Sequence, residues 1–187
     1  MKSSLEIARA ARLRPITEQW GIKGAIITAV DLLRGLGLYA GLRVVEVPGA
    51  TGYYDTDYEA KGKYALRALE EGCDLVFVHV EAPDEAGHQG SAEEKIRAIE
   101  SFDEKVVGKV LHGIRRLGEW AVLVLPDHAT PIQVRTHTEE PVPFTVLSSR
   151  GERTAGERFE EEEASRFGVH LDDGRGLLGR FLTGNWE

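Results

Sequence analysis

Five side chains of the types that hold metal ions or move protons lie in two short segments. They are Asp84 and His88 in Glu81-Ala-Pro-Asp-Glu-Ala-Gly-His88, and Asp127, His128 and His137 in the stretch from Pro126 to Thr138. Carboxylate oxygens mixed with imidazole nitrogens suit Mn, Zn, Fe or Co better than Ca or a thiolate-seeking metal. The single cysteine, Cys73, excludes a zinc–thiolate cluster and an internal disulfide, so a metal site here must use nitrogen and oxygen donors. An isolated Asp-His pair in a loop is ordinarily a turn or a cap. Two such segments after successive apolar runs, with a further histidine behind them, make a metal centre an equal contender.

The elements that must position these residues read as an α/β fold, a mostly parallel sheet flanked by helices. Gly24–Thr28, Arg43–Val47, Leu75–Val80, Trp120–Leu125 and Pro143–Leu147 are short runs, several apolar on both faces, as in strands covered on both sides. Asp84, His88, Asp127, His128 and His137 fall just beyond the carboxyl ends of such strands, in segments broken by Pro or Gly, where ligands bind in open α/β sheets. Ser91-Ala-Glu-Glu94 is a capping box opening a long helix along Ile96, Ile99, Phe102, Val106, Val110, Ile114 and Leu117. Thr56-Asp-Tyr-Glu59 is a second such box, with a helix to about Glu71 that Gly72 ends. Ala29–Tyr39 predicts a shorter helix in which Gly35 and Gly37 allow close packing on the sheet. Beyond Arg150 the pattern loosens into a loop bracketed by Gly151 and Gly156, the acidic run Glu160–Glu163, and a terminal helix over Gly174–Leu182.

The 187 residues, 42% hydrophobic and 29% charged, with a mean hydropathy of −0.26, suit one globular domain, residues 1–187. A net charge of −8 disfavours nucleic acid and anionic membranes as partners. No run reaches the length of a membrane span and the first residues lack the apolar stretch of a secretory signal, so the expected location is the cytoplasm. One Asn, three Gln and abundant Glu and Arg give a thermophile-like composition. His79 reads as a satisfied buried histidine, His112 and His170 as solvated, and Trp20, Trp120 and Trp186 as packing residues.

The segments Pro83-Asp-x-x-Gly-His88, Pro126-Asp-His128 and Thr136-His-Thr138 resemble the metal-binding motifs of the alkaline phosphatase superfamily. More narrowly, five segments resemble the archaeal type of cofactor-independent phosphoglycerate mutase. They are Val47-Pro-Gly-Ala-Thr-Gly-Tyr53, Asp55-Thr56, His79 to His88, Leu125 to His128, and Val134 to Thr138 followed by Pro141-Val-Pro-Phe144. The match runs in order from about Ile22 to Leu147.

The resemblance implies two divalent ions, usually manganese, with Asp84, His88 and His137 on one and Asp127 and His128 as part of the ligands of the other. It places Lys23 at a position that reaches substrate or phosphate, and Tyr53 or Asp55 near the substrate cleft. The substrate would be phosphoglycerate or another small phosphorylated acid. The family's serine nucleophile and arginine-rich phosphotransfer domain lie in a part to which nothing here corresponds, and no serine of this sequence has the nucleophile's setting. The chain thus resembles the carboxyl-terminal half of such an enzyme, inactive alone, with the other half or a second copy as partner. A non-catalytic metal-binding or interaction domain, and a metal-dependent phosphoester or phosphonate hydrolase, share the same ligands and stand as alternatives.

Overall fold

The computed structural model describes residues 14–151, 158–167 and 169–186. They group into two compact units, residues 1–81 and 82–187. The loop expected around Gly156 lies largely outside the described residues.

The first unit is a three-stranded parallel sheet in the order β2-β1-β3, with β1 Gly24–Ile27, β2 Arg43–Val44 and β3 Leu75–Val78. Ala25 pairs with Arg43 on one side of β1 and with Val76 on the other. All four residues of β1 are buried, as a central strand covered on both faces requires. Three helices accompany the sheet: α1 Ile16–Trp20, α2 Asp31–Tyr39 and α3 Tyr58–Glu70. Gly37 of α2 is where helix and sheet touch. A Cβ there would fall 2.6 Å from Ile26 Cγ2, whereas Gly35 meets nothing within 4 Å, so only one of the two glycines serves the packing.

The cap of α3 is Asp57, whose side chain accepts from Ala60 N at 2.8 Å, one residue later than the Thr56 expected. Thr56 Oγ1 instead accepts from Thr51 N at 3.0 Å and holds the preceding loop. The helix ends as expected at Gly72, in the left-handed region at φ +95°.

The inner face of α3 carries Ala65, Leu66 and Ala68, and in their midst Lys61, whose side chain has no exposed surface. Its ammonium donates to Glu81 Oε2 and to the carbonyl of His79, each at 3.0 Å. Glu81 Oε1 accepts from Thr28 Oγ1 and Ala29 N, both at 3.2 Å, and lies 3.1 Å from His79 Nδ1. Burial pushes the Glu81 carboxyl up. The hydrogen bonds from His79 and Lys61 and the Lys61 charge outweigh it and bring the group down to about 2. Thr28 and His79 directly follow β1 and β3, so the network closes the carboxyl edge of this sheet.

The second unit begins with α4 Ala82–Gln89 and α5 Ala92–Phe102; the latter continues through a π-helical stretch, Asp103–Gly108, into α6 Lys109–Ile114. Ser91 caps α5, its hydroxyl accepting from Glu94 N at 3.3 Å. The reciprocal half of the box does not form, because Ser91 N donates to the Ala86 carbonyl and Glu94 pairs with Arg97. The expected apolar stripe is buried at Val106 and Ile114 and exposed at Ile96 and Ile99. The π turn holds more residues than an α turn and so re-phases the face that follows it.

The fourth and fifth strands, β4 Ala121–Val124 and β5 Thr145–Ser148, do not extend the parallel sheet. They pair with each other antiparallel, Ala121 opposite Ser148 and Val124 opposite Thr145. A parallel return needs a crossover, usually a helix. The intervening stretch carries Pro126, Pro131, Pro141 and Pro143 and forms none. The unit closes with α7 Glu161–Phe167, a 3₁₀ turn at Gly174–Gly176 and α8 Leu177–Thr183, the last two covering the expected terminal helix. No helix among the described residues is long and apolar enough to cross a membrane.

Candidate metal centre

Asp84 and His88 lie on α4, not in the loop expected from Pro83 and Gly87. Pro83 occupies the first turn of the helix, where its missing N–H leaves no bond unmade. A separation of four residues puts the carboxylate and the imidazole on one face. Gly87 is in the helix because of what it touches: a Cβ would fall 2.3 Å from the Thr130 carbonyl oxygen. The absence of a side chain lets the segment bearing His128 approach α4.

That segment folds back through one isolated antiparallel bridge, Ala129 to Thr138, closed by Thr138 N to the Ala129 carbonyl at 3.0 Å. Each bridge residue has a histidine immediately before it, and the rings of His128 and His137 come to 3.7 Å between centroids. Between them the chain turns at Arg135, the one described non-glycine residue with positive φ, +59°. The Arg135 carbonyl lies 3.0 Å from His88 Nδ1. Its guanidinium lies over Gly90, where a Cβ would stand 2.6 Å from Arg135 Nε and where φ is +70°.

The donor atoms converge. His88 Nε2 is 3.2 Å from His137 Nε2 and 3.3 Å from Asp84 Oδ2, and His137 Nε2 is 3.4 Å from Asp84 Oδ1. Asp84, His128 and His137 also each offer a ligand atom within 4.8 Å of the others. Asp127 stands beside them, with Oδ2 3.4 Å from His128 Nε2 and Oδ1 accepting from His128 N at 3.2 Å. All five expected ligands therefore gather in one continuous cluster of the second unit, with Asp84 and His137 common to both trios. Asp84, His88 and His128 are half-buried, while Asp127 and His137 are exposed.

Lys23 is not at a carboxyl edge. It precedes β1 and so stands at the amino edge of its sheet, exposed, with its N–H on Asp74 Oδ2 at 2.8 Å and its carbonyl accepting from Asp74 N and Leu75 N. There it lines a cleft of about 480 Å³ with Thr17, Arg43, Glu71 and Cys73.

The cluster's protons can be counted. A carbonyl only accepts, so the contact with Arg135 fixes the proton of neutral His88 on Nδ1 and leaves a lone pair on Nε2. That lone pair faces a carboxylate oxygen and a second imidazole nitrogen. With both rings neutral, His137 can lend one proton from Nε2, which leaves His88 Nε2 and Asp84 Oδ2 as two acceptors in contact. A further proton or a metal cation among them relieves this. Four donors placed tetrahedrally at about 2.0–2.1 Å from one ion stand about 3.3 Å apart, the spacing found here. Lys95, whose charge Asp84 feels, is committed elsewhere: its ammonium donates to the Thr130 carbonyl at 2.7 Å. Burial lowers the pKa of Lys95, against the opposing pull of Asp84 and Glu161.

Oxygen and nitrogen donors meeting acceptor to acceptor define a metal-binding protein. Residues 7–169 match the metalloenzyme superfamily, and the chain belongs to that family. It is 52% identical over 168 residues to a 2,3-bisphosphoglycerate-independent phosphoglycerate mutase of Methanothrix thermoacetophila, covering 89% of this chain and 43% of that protein. It is 61% identical over 139 residues to a 2,3-bisphosphoglycerate-independent phosphoglycerate mutase 2 of Methanothermobacter thermautotrophicus, covering 74% and 34%. A solved structure of a Pyrococcus horikoshii protein superposes with a TM-score of 0.83 at 33% identity, over 89% of this chain and 50% of that one. A cofactor-independent phosphoglycerate mutase from Thermoplasma acidophilum shares the fold, at a TM-score of 0.67 and 20% identity, over 89% of this chain and 38% of that one. The chain spans less than half the length of these two curated relatives.

Proposed function

We propose that this chain is the metal-binding portion of a 2,3-bisphosphoglycerate-independent phosphoglycerate mutase, which interconverts 2- and 3-phosphoglycerate, a glycolytic step of the cytoplasm. In this reading Asp84, His88 and His137 hold one divalent ion, manganese in preference to Zn, Co or Fe, and Asp127 and His128 begin the ligand set of a second. The observation that carries it is the meeting of His88 Nε2, His137 Nε2 and both Asp84 oxygens at 3.2–3.4 Å. Similarity to curated mutases over most of the chain supports the substrate class.

Bound divalent ions would polarise phosphoryl oxygens and gather attacking and leaving groups. The chain's own contribution is placement: α4 presents Asp84 and His88 on one face, and the Ala129–Thr138 bridge brings up His128 and His137. The described serines have other work. Ser91 caps α5, Ser101 lies within that helix, Ser148 and Ser149 end the β5 ladder, and Ser165 donates to the Glu162 carbonyl within α7. In this reading the phosphoryl acceptor comes from the other half of the enzyme, the partner this reading requires.

The test is calorimetric titration with manganese and a coupled mutase assay on the same sample. About one tightly bound ion per chain is expected at the site of Asp84, His88 and His137, with weak binding at Asp127 and His128 and turnover at background, since loss of a covalent nucleophile costs orders of magnitude. Absence of divalent-ion binding overturns the metal assignment. Mutase activity from the chain alone overturns the placement of the nucleophile.

A further inference from the structure

We infer that Thr130 is a positioning residue that sets the ligating state of the metal centre from behind, through one hydroxyl shared by Asp84 and His128; the inference deepens the metal reading above and rests on it. Thr130 is buried, and its Oγ1 lies 2.5 Å from Asp84 Oδ1 and 3.2 Å from His128 Nδ1. A hydroxyl has one proton to give and lone pairs to receive. The ionised Asp84 carboxylate can only accept, so the Thr130 proton goes to Oδ1. The same oxygen must then receive from His128, which places the imidazole proton on Nδ1 and leaves Nε2 with the lone pair that binds a metal.

The Arg135 carbonyl does the same for His88. Thr130 differs in acting on two ligands at once, Asp84 from α4 and His128 from the bridge segment, one from each of the two proposed ligand sets. Its rotamer is supported by its own backbone: the carbonyl accepts Lys95 Nζ at 2.7 Å and packs against Gly87. Outer partners of this kind fix the tautomer and orientation of metal-bound histidines, and their loss ordinarily costs 10- to 100-fold in affinity.

Two substitutions in the full chain separate hydrogen bonding from packing. Thr130→Val keeps the shape and removes the hydroxyl; Thr130→Ser keeps the hydroxyl and removes a methyl group. With manganese and cobalt titrated into each, Thr130→Val is expected to weaken binding about 10- to 100-fold and Thr130→Ser to stay within about threefold of the parent. In metal-free protein, long-range nitrogen–proton spectra of the histidines should show His128 as the Nδ1–H tautomer in the parent and the serine variant, and a shift toward Nε2–H in the valine variant. A merely packing role gives the reverse order, the serine variant impaired and the valine variant normal, and overturns the inference. So does an Nε2–H tautomer for His128 in the parent, a reading that stands even if the valine variant fails to fold. A parent that binds neither ion overturns the metal reading instead, and the tautomers of the metal-free proteins still decide whether Thr130 directs His128.

Discussion

Each unit carries one dense cluster of polar side chains, and the two differ in where positive charge comes from. In the first unit Glu81 has both oxygens occupied by partners from its own chain: the Lys61 ammonium, the Thr28 hydroxyl, the Ala29 amide and His79 Nδ1. In the second, Asp84 meets imidazole nitrogens and one hydroxyl, and Lys95 gives its proton to a backbone carbonyl. The first cluster is internally neutralised and sealed. The second holds no lysine or arginine against its carboxylates in the contacts above and is open to solvent at His137 and Asp127. A polar cluster that closes its own accounting is architecture; the open one is the proposed binding site.

The contrast is broken most forcefully at Lys61. Replacing it with Met strands a buried carboxylate and should lower unfolding free energy by about 3–5 kcal/mol in denaturant titrations, while the double change Lys61→Met with Glu81→Leu recovers most of the loss. Acid acts on the same pair. The folded-state value of Glu81, about 2, lies below the ordinary carboxyl value of 4.5. Its contribution, about 3 kcal/mol, is therefore complete above about pH 4.5 and lost as pH falls toward 2, and the parent's urea midpoint should decline more steeply through that window than the double variant's.

At the other cluster, His88→Ala should raise the manganese dissociation constant about 100-fold or more, equivalent to about 3 kcal/mol, and barely move the melting temperature of chelator-treated protein. An equal drop in melting temperature with and without metal would place His88 with Glu81 as architecture. Gly87→Ala sharpens the comparison further. Its Cβ would collide with the Thr130 carbonyl, so it should cost about 1–3 kcal/mol by denaturation and weaken metal binding without touching a ligand.

Much of this was legible before folding. The parallel sheet, the helix ended by Gly72 and the five donors all followed from pattern and motif. The separation of β4 and β5 from that sheet was not foreseen, although the four prolines from Pro126 to Pro143 leave no crossover helix between them. Pro83 misled because a proline breaks a helix only beyond its first turn. Lys23 was read as a lysine before a strand, and a residue that precedes a parallel strand stands at the amino edge of its sheet. Lys61 gave no signal: a lysine at helical spacing reads as solvated until its neighbours place Glu81 and the His79 carbonyl against it. Thr130 was equally silent, since one partner, Asp84, lies 46 residues from it and the other, His128, only 2, and nothing in the sequence joins them through one hydroxyl.

Gly90 and Arg135 bear on how such a site can drift. Each holds a left-handed backbone, and the arginine side chain fills the space that a Cβ at Gly90 would need. A sequence lineage is therefore not free to vary them singly: bulk gained at position 90 displaces the guanidinium, and the turn beneath it carries the carbonyl that faces His88. Glycine at position 135 would ease the turn but leave the ground over Gly90 uncovered. The two positions should change hands together, and a library randomising one alone would sample mostly losers around the proposed metal centre.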